Sequence, residues 1–114
     1  MSRIKRFALA MAFVGTGAFT VSAALAAPNS GEALYSQYCA MCHGKDGKGA
    51  MPGTTDLGQA NGPLSQSDTV VIERTLKGYK TMPAMDGQIS RSQAQEILAY
   101  MRKAFNVPAG NSQK

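Results

Sequence analysis

The chain has 114 residues, with 12 lysines and arginines against 7 aspartates and glutamates and a net charge of +5. That length predicts one domain with a small core. Arg3, Lys5 and Arg6 all stand at the very start; without them the net charge falls by three, to +2, and the dense basic stripe of a nucleic-acid surface is excluded.

Those three cations open a segment with the parts of a secretory signal peptide. A basic start is followed by an apolar stretch from Phe7 to Leu25, softened by Gly15, Thr16, Gly17, Thr20 and Ser22, and then by the small-residue site Ala24-Leu25-Ala26. Cleavage is expected after Ala26, because a cut one residue later would leave Pro28 first. The stretch is nearly long enough to act as a membrane anchor instead, but its small residues and cleavage-like end favour removal. On this reading residues 1–26 are the signal, residues 27–114 are the domain, and the domain sits outside the cytoplasm. A chain of that size leaves much apolar surface exposed and benefits from a staple.

Asn29 is expected to cap a first helix, with Glu32 in the capping-box position and Ala33, Leu34, Tyr35 and Tyr38 as an apolar stripe leading to Cys39. Residues 44–62, "GKDGKGAMPGTTDLGQANG", predict a long loop. Loops of this length tend to wrap something or to be functional. A second helix is expected from Asp68 to Lys77, started by Ser65 or Ser67, stopped by Gly78 and burying Val70, Val71 and Leu76. "GYKTMPAMDGQ" follows as another loop, broken by Pro83 and Gly87. The last helix is expected from Arg91 to about Phe105. Ser90 caps it, Gln93 fills the capping-box position, and Ala94, Ile97, Leu98, Met101 and Phe105 share one face. Pro108 ends it, and "AGNSQK" is a polar tail. With no strand-like alternation and no internal repeat, the fold class is all-α: three or more short helices and long loops around a centre that the chain alone does not fill.

Both cysteines and the single histidine fall in Cys39-Ala-Met-Cys42-His43. C-x-x-C-H is the spacing for covalent attachment of a c-type haem. One helical turn presents two sulfurs to the vinyl-derived carbons of the ring, and the imidazole that follows is carried under the iron. A zinc site wants four protein ligands, and this chain supplies three nitrogen or sulfur donors of that kind. A disulfide between Cys39 and Cys42 suits an oxidising compartment, but a thioredoxin-like motif expects βαβ surroundings that are missing. An electron carrier fills both axial positions of the iron, whereas a catalyst or gas binder leaves one open. With no second histidine, the donors for the other face are thioethers. Met1 and Met11 lie in the signal, Met41 lies between the cysteines, and Met101 lies on the apolar face of the last helix. Met51, Met82 and Met85 remain as candidates.

These residues resemble the class I c-type cytochromes, most closely the short soluble bacterial and c6-like monohaem members. The resemblance rests on C-x-x-C-H, on the four-residue spacing of Gly31, Tyr35 and Cys39, on "ILAYMRKA" with Ile97 and Tyr100 in the matching positions, and on "MPAM". It implies the small cytochrome c fold, with the first helix packed on the last around one haem c. It further implies attachment at Cys39 and Cys42, His43 and Met82 as axial ligands with Met85 as the alternative, and the Pro52 carbonyl as acceptor for the other ring N–H of His43.

The function expected from these readings is a periplasmic one-electron carrier, an electron-transfer protein and not an enzyme. It would be a monomer cycling Fe(II)/Fe(III) haem between redox proteins, with a dehydrogenase or cytochrome complex as donor and an oxidase or reductase as acceptor. Lys45, Lys48, Lys77 and Lys80 flank the two loops and would steer acidic partners. Two alternatives are a haem subunit dedicated to one periplasmic dehydrogenase or oxidase, and a five-coordinate haem sensor or catalyst.

Overall fold

The computed structural model describes residues 30–110 and, ahead of them, Ala12, Gly15, Gly17 and Ala18. Apart from those four residues, the expected signal segment lies outside the described residues, as do the last four residues of the chain. Among the described residues there are four α-helices: α1 (Gly31–Tyr38), α2 (Ala40–His43), α3 (Asp68–Lys77) and α4 (Arg91–Ala104). Among the described residues there is no strand, only two isolated bridges in the loop after α3.

The helix ends follow side-chain chemistry. Ser30, not Asn29, occupies the N-cap of α1: its hydroxyl accepts the Ala33 N–H, and Asn29 lies outside the described residues. Ser67 is the cap of α3, accepting from Val70 N–H, while Ser65 donates to the Gly62 carbonyl within a 3₁₀ turn, Pro63–Ser65, that the loop composition did not predict. Ser90 and Gln93 form the full capping box of α4, satisfying two otherwise orphaned N–H groups. At the other end the stop comes before Pro108. Asn106 takes a left-handed φ of 56°, and Val107 N–H reaches back to the Arg102 carbonyl at 3.0 Å, which is the Schellman arrangement. Val107 is thereby buried in the core.

Packing is dominated by α1 against α4. Gly31 lies so close to α4 that a β-carbon there would stand 2.1 Å from the Glu96 carbonyl oxygen. Leu34 and Tyr35 of α1 meet Ala94, Ile97, Leu98 and Met101 of α4 in one core cluster. The rings of Tyr35, Tyr100 and Phe105 pack edge-on or tilted, with Tyr35 at 5.5 Å from each of the other two, geometries that favour aromatic pairs. Helix α3 closes the other side through Val71, Ile72 and Leu76. Ile72 takes the buried place expected of Val70, which is only half-buried, because the α3 face is set by α4 and not by the helix alone. Arg102 ties the connection down: its side chain donates to the carbonyls of Leu64 (3.2 Å) and Gln66 (2.8 Å) and pairs with Asp68.

Candidate haem-binding site

Helix α2 is one turn long and carries Ala40, Met41, Cys42 and His43, with Cys39 as its N-terminal flank. It is nearly continuous with α1, since Cys39 N–H donates to the Tyr35 carbonyl and His43 N–H to the Cys39 carbonyl, both at 2.9 Å. A helix this short is not stable by itself, and its far end is held by the following loop. Gly44 N–H donates to Ala40 O and Ala50 N–H to Cys42 O at 2.8 Å each, and Gly49 N–H donates to His43 O at 2.8 Å. Gly44 and Gly49 adopt φ of 78° and 94°, values open to glycine at little cost. The residues "GKDGKGA" are thus a collar for α2: the carbonyls of Ala40, Cys42 and His43, which have no partner within one turn, receive donors from it.

Both thiols are free. Cys39 is 9% exposed, and burial, then the neighbouring Cys42, pushes its pKa up to about 11. Burial also lowers the His43 pKa below its ordinary value. The His43 ring nitrogen Nδ1 is buried without a hydrogen-bond partner. The bond expected to the Pro52 carbonyl is not formed: His43 Nδ1 has no partner, the chain turns at Met51–Thr54 with Thr54 N–H on Met51 O at 3.1 Å, and Pro52 is left exposed. A buried ring nitrogen without a partner is costly in a closed core. Two unbonded thiols with that imidazole in one helical turn are a donor set suited to a c-type haem, so the residues present fit the group.

The three candidate methionines separate by burial. Met51 is half exposed, its N–H on the Cys42 carbonyl at 3.3 Å. Met85 is 7% exposed and belongs to the core, its N–H donating to Thr75 O at 3.1 Å while Asp86 N–H caps Leu76 O. Met82 is half-buried against that core and closes a tight turn with Tyr79, Met82 N–H to Tyr79 O at 2.9 Å and Tyr79 N–H to Met82 O at 3.1 Å. Lys80 within the turn has a φ of 53°. Gly78 is packed against it: a β-carbon there would lie 3.0 Å from the Met82 carbonyl oxygen and the Ala84 nitrogen. Exposed Tyr79 is flanked by Arg74, 4.1 Å from the ring centre, and by Lys80 at 5.3 Å. Of the four lysines singled out, Lys77 is already paired with Glu73 at 2.7 Å.

Two features of the site were not read from the sequence. The Tyr35 hydroxyl donates to the Gly44 carbonyl at 2.6 Å, and Gly47, φ 73°, lies so close to Phe105 that a β-carbon would come within 2.8 Å of the ring. The only signal for either was the aromatic and glycine content of the flanks, which does not name a partner.

The family described as cytochrome c oxidase, cbb3-type, subunit III matches residues 26–101. No curated protein matches the chain. Among solved structures, the KustC0563 c-type cytochrome is similar with a TM-score of 0.59 at 23% identity, over 66% of this chain and 96% of that one. Cytochrome CL from the marine methylotrophic bacterium Methylophaga aminisulfidivorans MPT has a TM-score of 0.56 at 24% identity, over 64% of this chain. This chain spans about half of that cytochrome's length, 49%. These likenesses establish the small all-α cytochrome c fold.

Proposed function

The chain belongs to the family described as cytochrome c oxidase, cbb3-type, subunit III, and from that premise we propose that it is a one-electron carrier of the periplasm. A c-type cytochrome binds haem c covalently, works in electron transfer and has redox proteins as partners. In this chain Cys39 and Cys42 would hold the ring by thioether bonds, and His43 and Met82 would ligate the iron. The bound haem supplies a one-electron Fe(II)/Fe(III) couple.

The observation that carries this reading is α2 itself: two free thiols and a buried imidazole nitrogen without a partner on a single collared turn. Met82 is preferred to Met85 because Met85 lies within the core, while Met82 is only half-buried against it, at the end of a turn. A thioether donor stabilises ferrous iron and raises the potential. The rigid 79–82 turn and the collar of α2 hold both donors against displacement, so little reorganises when the charge of the metal changes. Exposed Lys45, Lys48 and Lys80 offer charge to an acidic partner, which would speed association more than it strengthens the complex. The family match begins at residue 26, where the proposed export signal ends; amino-terminal sequencing of the secreted protein should begin at Ala27.

The test is separate replacement of the two methionines in the haem-loaded protein. Met82→Ala should abolish the weak far-red sulfur-to-iron band and admit CO to the ferrous form; Met85→Ala should keep the band. The reverse result would reassign the ligand, and a wild-type protein that lacks the band and binds CO readily would replace the carrier with an open-site haem protein. A second reading, a subunit held by one oxidase, is favoured by the family's description. A partner that stays bound at high salt selects it, whereas a partner released by salt selects the free carrier.

A further inference from the structure

The phenolic group of Tyr35 lies outside everything proposed so far, yet it touches the site. Tyr35 is 1% exposed, its ring fixed between Tyr100 and Phe105. Its hydroxyl donates to the carbonyl of Gly44, the residue directly after His43, at 2.6 Å. It is the one tyrosine hydroxyl with a hydrogen bond among the described residues. The Gly44 carbonyl also accepts from Gly47 N–H at 3.2 Å, the longer of the two bonds. On the other side, Gly31 locks α1 onto the Glu96 backbone of α4, and Phe105, the C-cap of α4, packs on Gly47 of the collar.

A side chain anchored by two long helices therefore holds the backbone on the far side of His43, while the collar N–H of Gly49 holds the His43 carbonyl. The two carbonyls that follow the imidazole, those of His43 and Gly44, are each held by a hydrogen bond, one of which comes from outside the collar. We infer that Tyr35 is a positioning residue for the iron-ligating imidazole: its hydroxyl, acting through the Gly44 peptide, sets the rotation of the His43 ring about the bond to the metal. The inference rests on the ligand role given to His43 above. Phenylalanine at position 35 keeps the ring packing and leaves Gly44 O its Gly47 donor, so the hydroxyl's contribution is to orientation more than to retention of the fold.

The experiment is proton NMR of the ferric, haem-loaded protein, in which the spread and order of the four haem-methyl resonances follow the orientation of the axial imidazole. Tyr35→Phe should change that pattern. Tyr100→Phe, which removes a hydroxyl from the same aromatic group but no bond to Gly44, should leave it unchanged. A wild-type pattern in Tyr35→Phe would overturn the inference while leaving the ligand assignment intact. Absence of hyperfine-shifted His43 ring protons in the wild type would instead remove the ligand assignment, and this inference with it. Should Tyr35→Phe not accumulate, wild-type sequence grown on 3-fluorotyrosine keeps every ring and makes each hydroxyl a stronger donor; a changed methyl pattern then supports the inference and an unchanged one overturns it.

Discussion

Gly31→Ala tests the packing that holds the whole site, because two effects of opposite sign meet at that position. Alanine in place of glycine gains up to about 1 kcal/mol of helix propensity, and less at the first position of α1. Against this, the new β-carbon would stand 2.1 Å from the Glu96 carbonyl oxygen and 2.8 Å from Tyr100 Cβ, where a carbon–oxygen contact of about 3.3 Å is the ordinary approach. The obstacle is helix backbone, which no rotamer change can move, so α1 and α4 must separate by roughly 1 Å, the difference between those approaches. Overpacking of a core costs about 1–3 kcal/mol. The upper end applies here because the separation reaches Leu34, Tyr35, Ile97 and Leu98, all nearly inaccessible. The expected net loss is about 2 kcal/mol, a fall of roughly 30-fold in the folded-to-unfolded ratio. The chain has no tryptophan, so far-UV circular dichroism of the haem-loaded protein in urea is the suitable probe; the midpoint should drop by about 1 M. A midpoint equal to or above that of the wild type would mean that propensity outweighs the clash, and the close crossing of α1 and α4 would be refuted.

Arg102→Met keeps the aliphatic stem but strips donors from the carbonyls of Leu64 and Gln66; it should cost about 2 kcal/mol in urea unfolding. Asp68→Asn, at the solvent-exposed end of the same arginine, should cost under about 1 kcal/mol. Met85→Ala should lower stability by about 2–5 kcal/mol through the cavity it leaves. Glu73 accepts from Lys77 and Arg91, which hold its pKa down at about 2 instead of 4.5. Its contribution is therefore complete above pH 4.5 and lost as pH falls toward 2. The gap in melting temperature between wild type and Glu73→Gln should close over that range and shrink in high salt; a gap that persisted at pH 2 would contradict the pairing. In the chain before haem attachment, Cys42 should be alkylated before Cys39 at pH 8, since Cys39 is the more buried and its thiol is held protonated by a pKa of about 11. Mass spectrometry of partly modified protein reads the order directly.

The parts legible in the sequence are those whose cause lies within a few residues. The bounds of α3 and α4, the Ser90–Gln93 capping box and the C-x-x-C-H turn follow from side chains that bond or align with their own neighbours along the chain. The same local logic misplaced the N-cap of α1 at Asn29, because two adjacent residues both cap well and the choice between them depends on where α1 must meet α4. It named Val70 in place of Ile72 because a 3.6-residue period defines a stripe but not which edge of that stripe faces the partner helix. Pro52 failed similarly, and the choice between Ser65 and Ser67 as the start of α3 stayed open: proline and serine fit many turns, and only the path of the collar and the 3₁₀ turn assigns their neighbours.

The sequence by itself determined the chemistry of α2, since two thiols and an imidazole within one turn can address a single flat ligand whatever the rest of the chain does. The tertiary structure decided what surrounds that turn. That Met85 is core while Met82 ends a half-buried turn, that Gly31 abuts the Glu96 carbonyl, and that the Tyr35 hydroxyl reaches Gly44 are all consequences of how α1, α3 and α4 pack. The physical reason is range. Hydrogen bonds along one helix are chosen by adjacent residues, whereas burial and contact between helices are chosen by the total fit of surfaces that are distant in sequence.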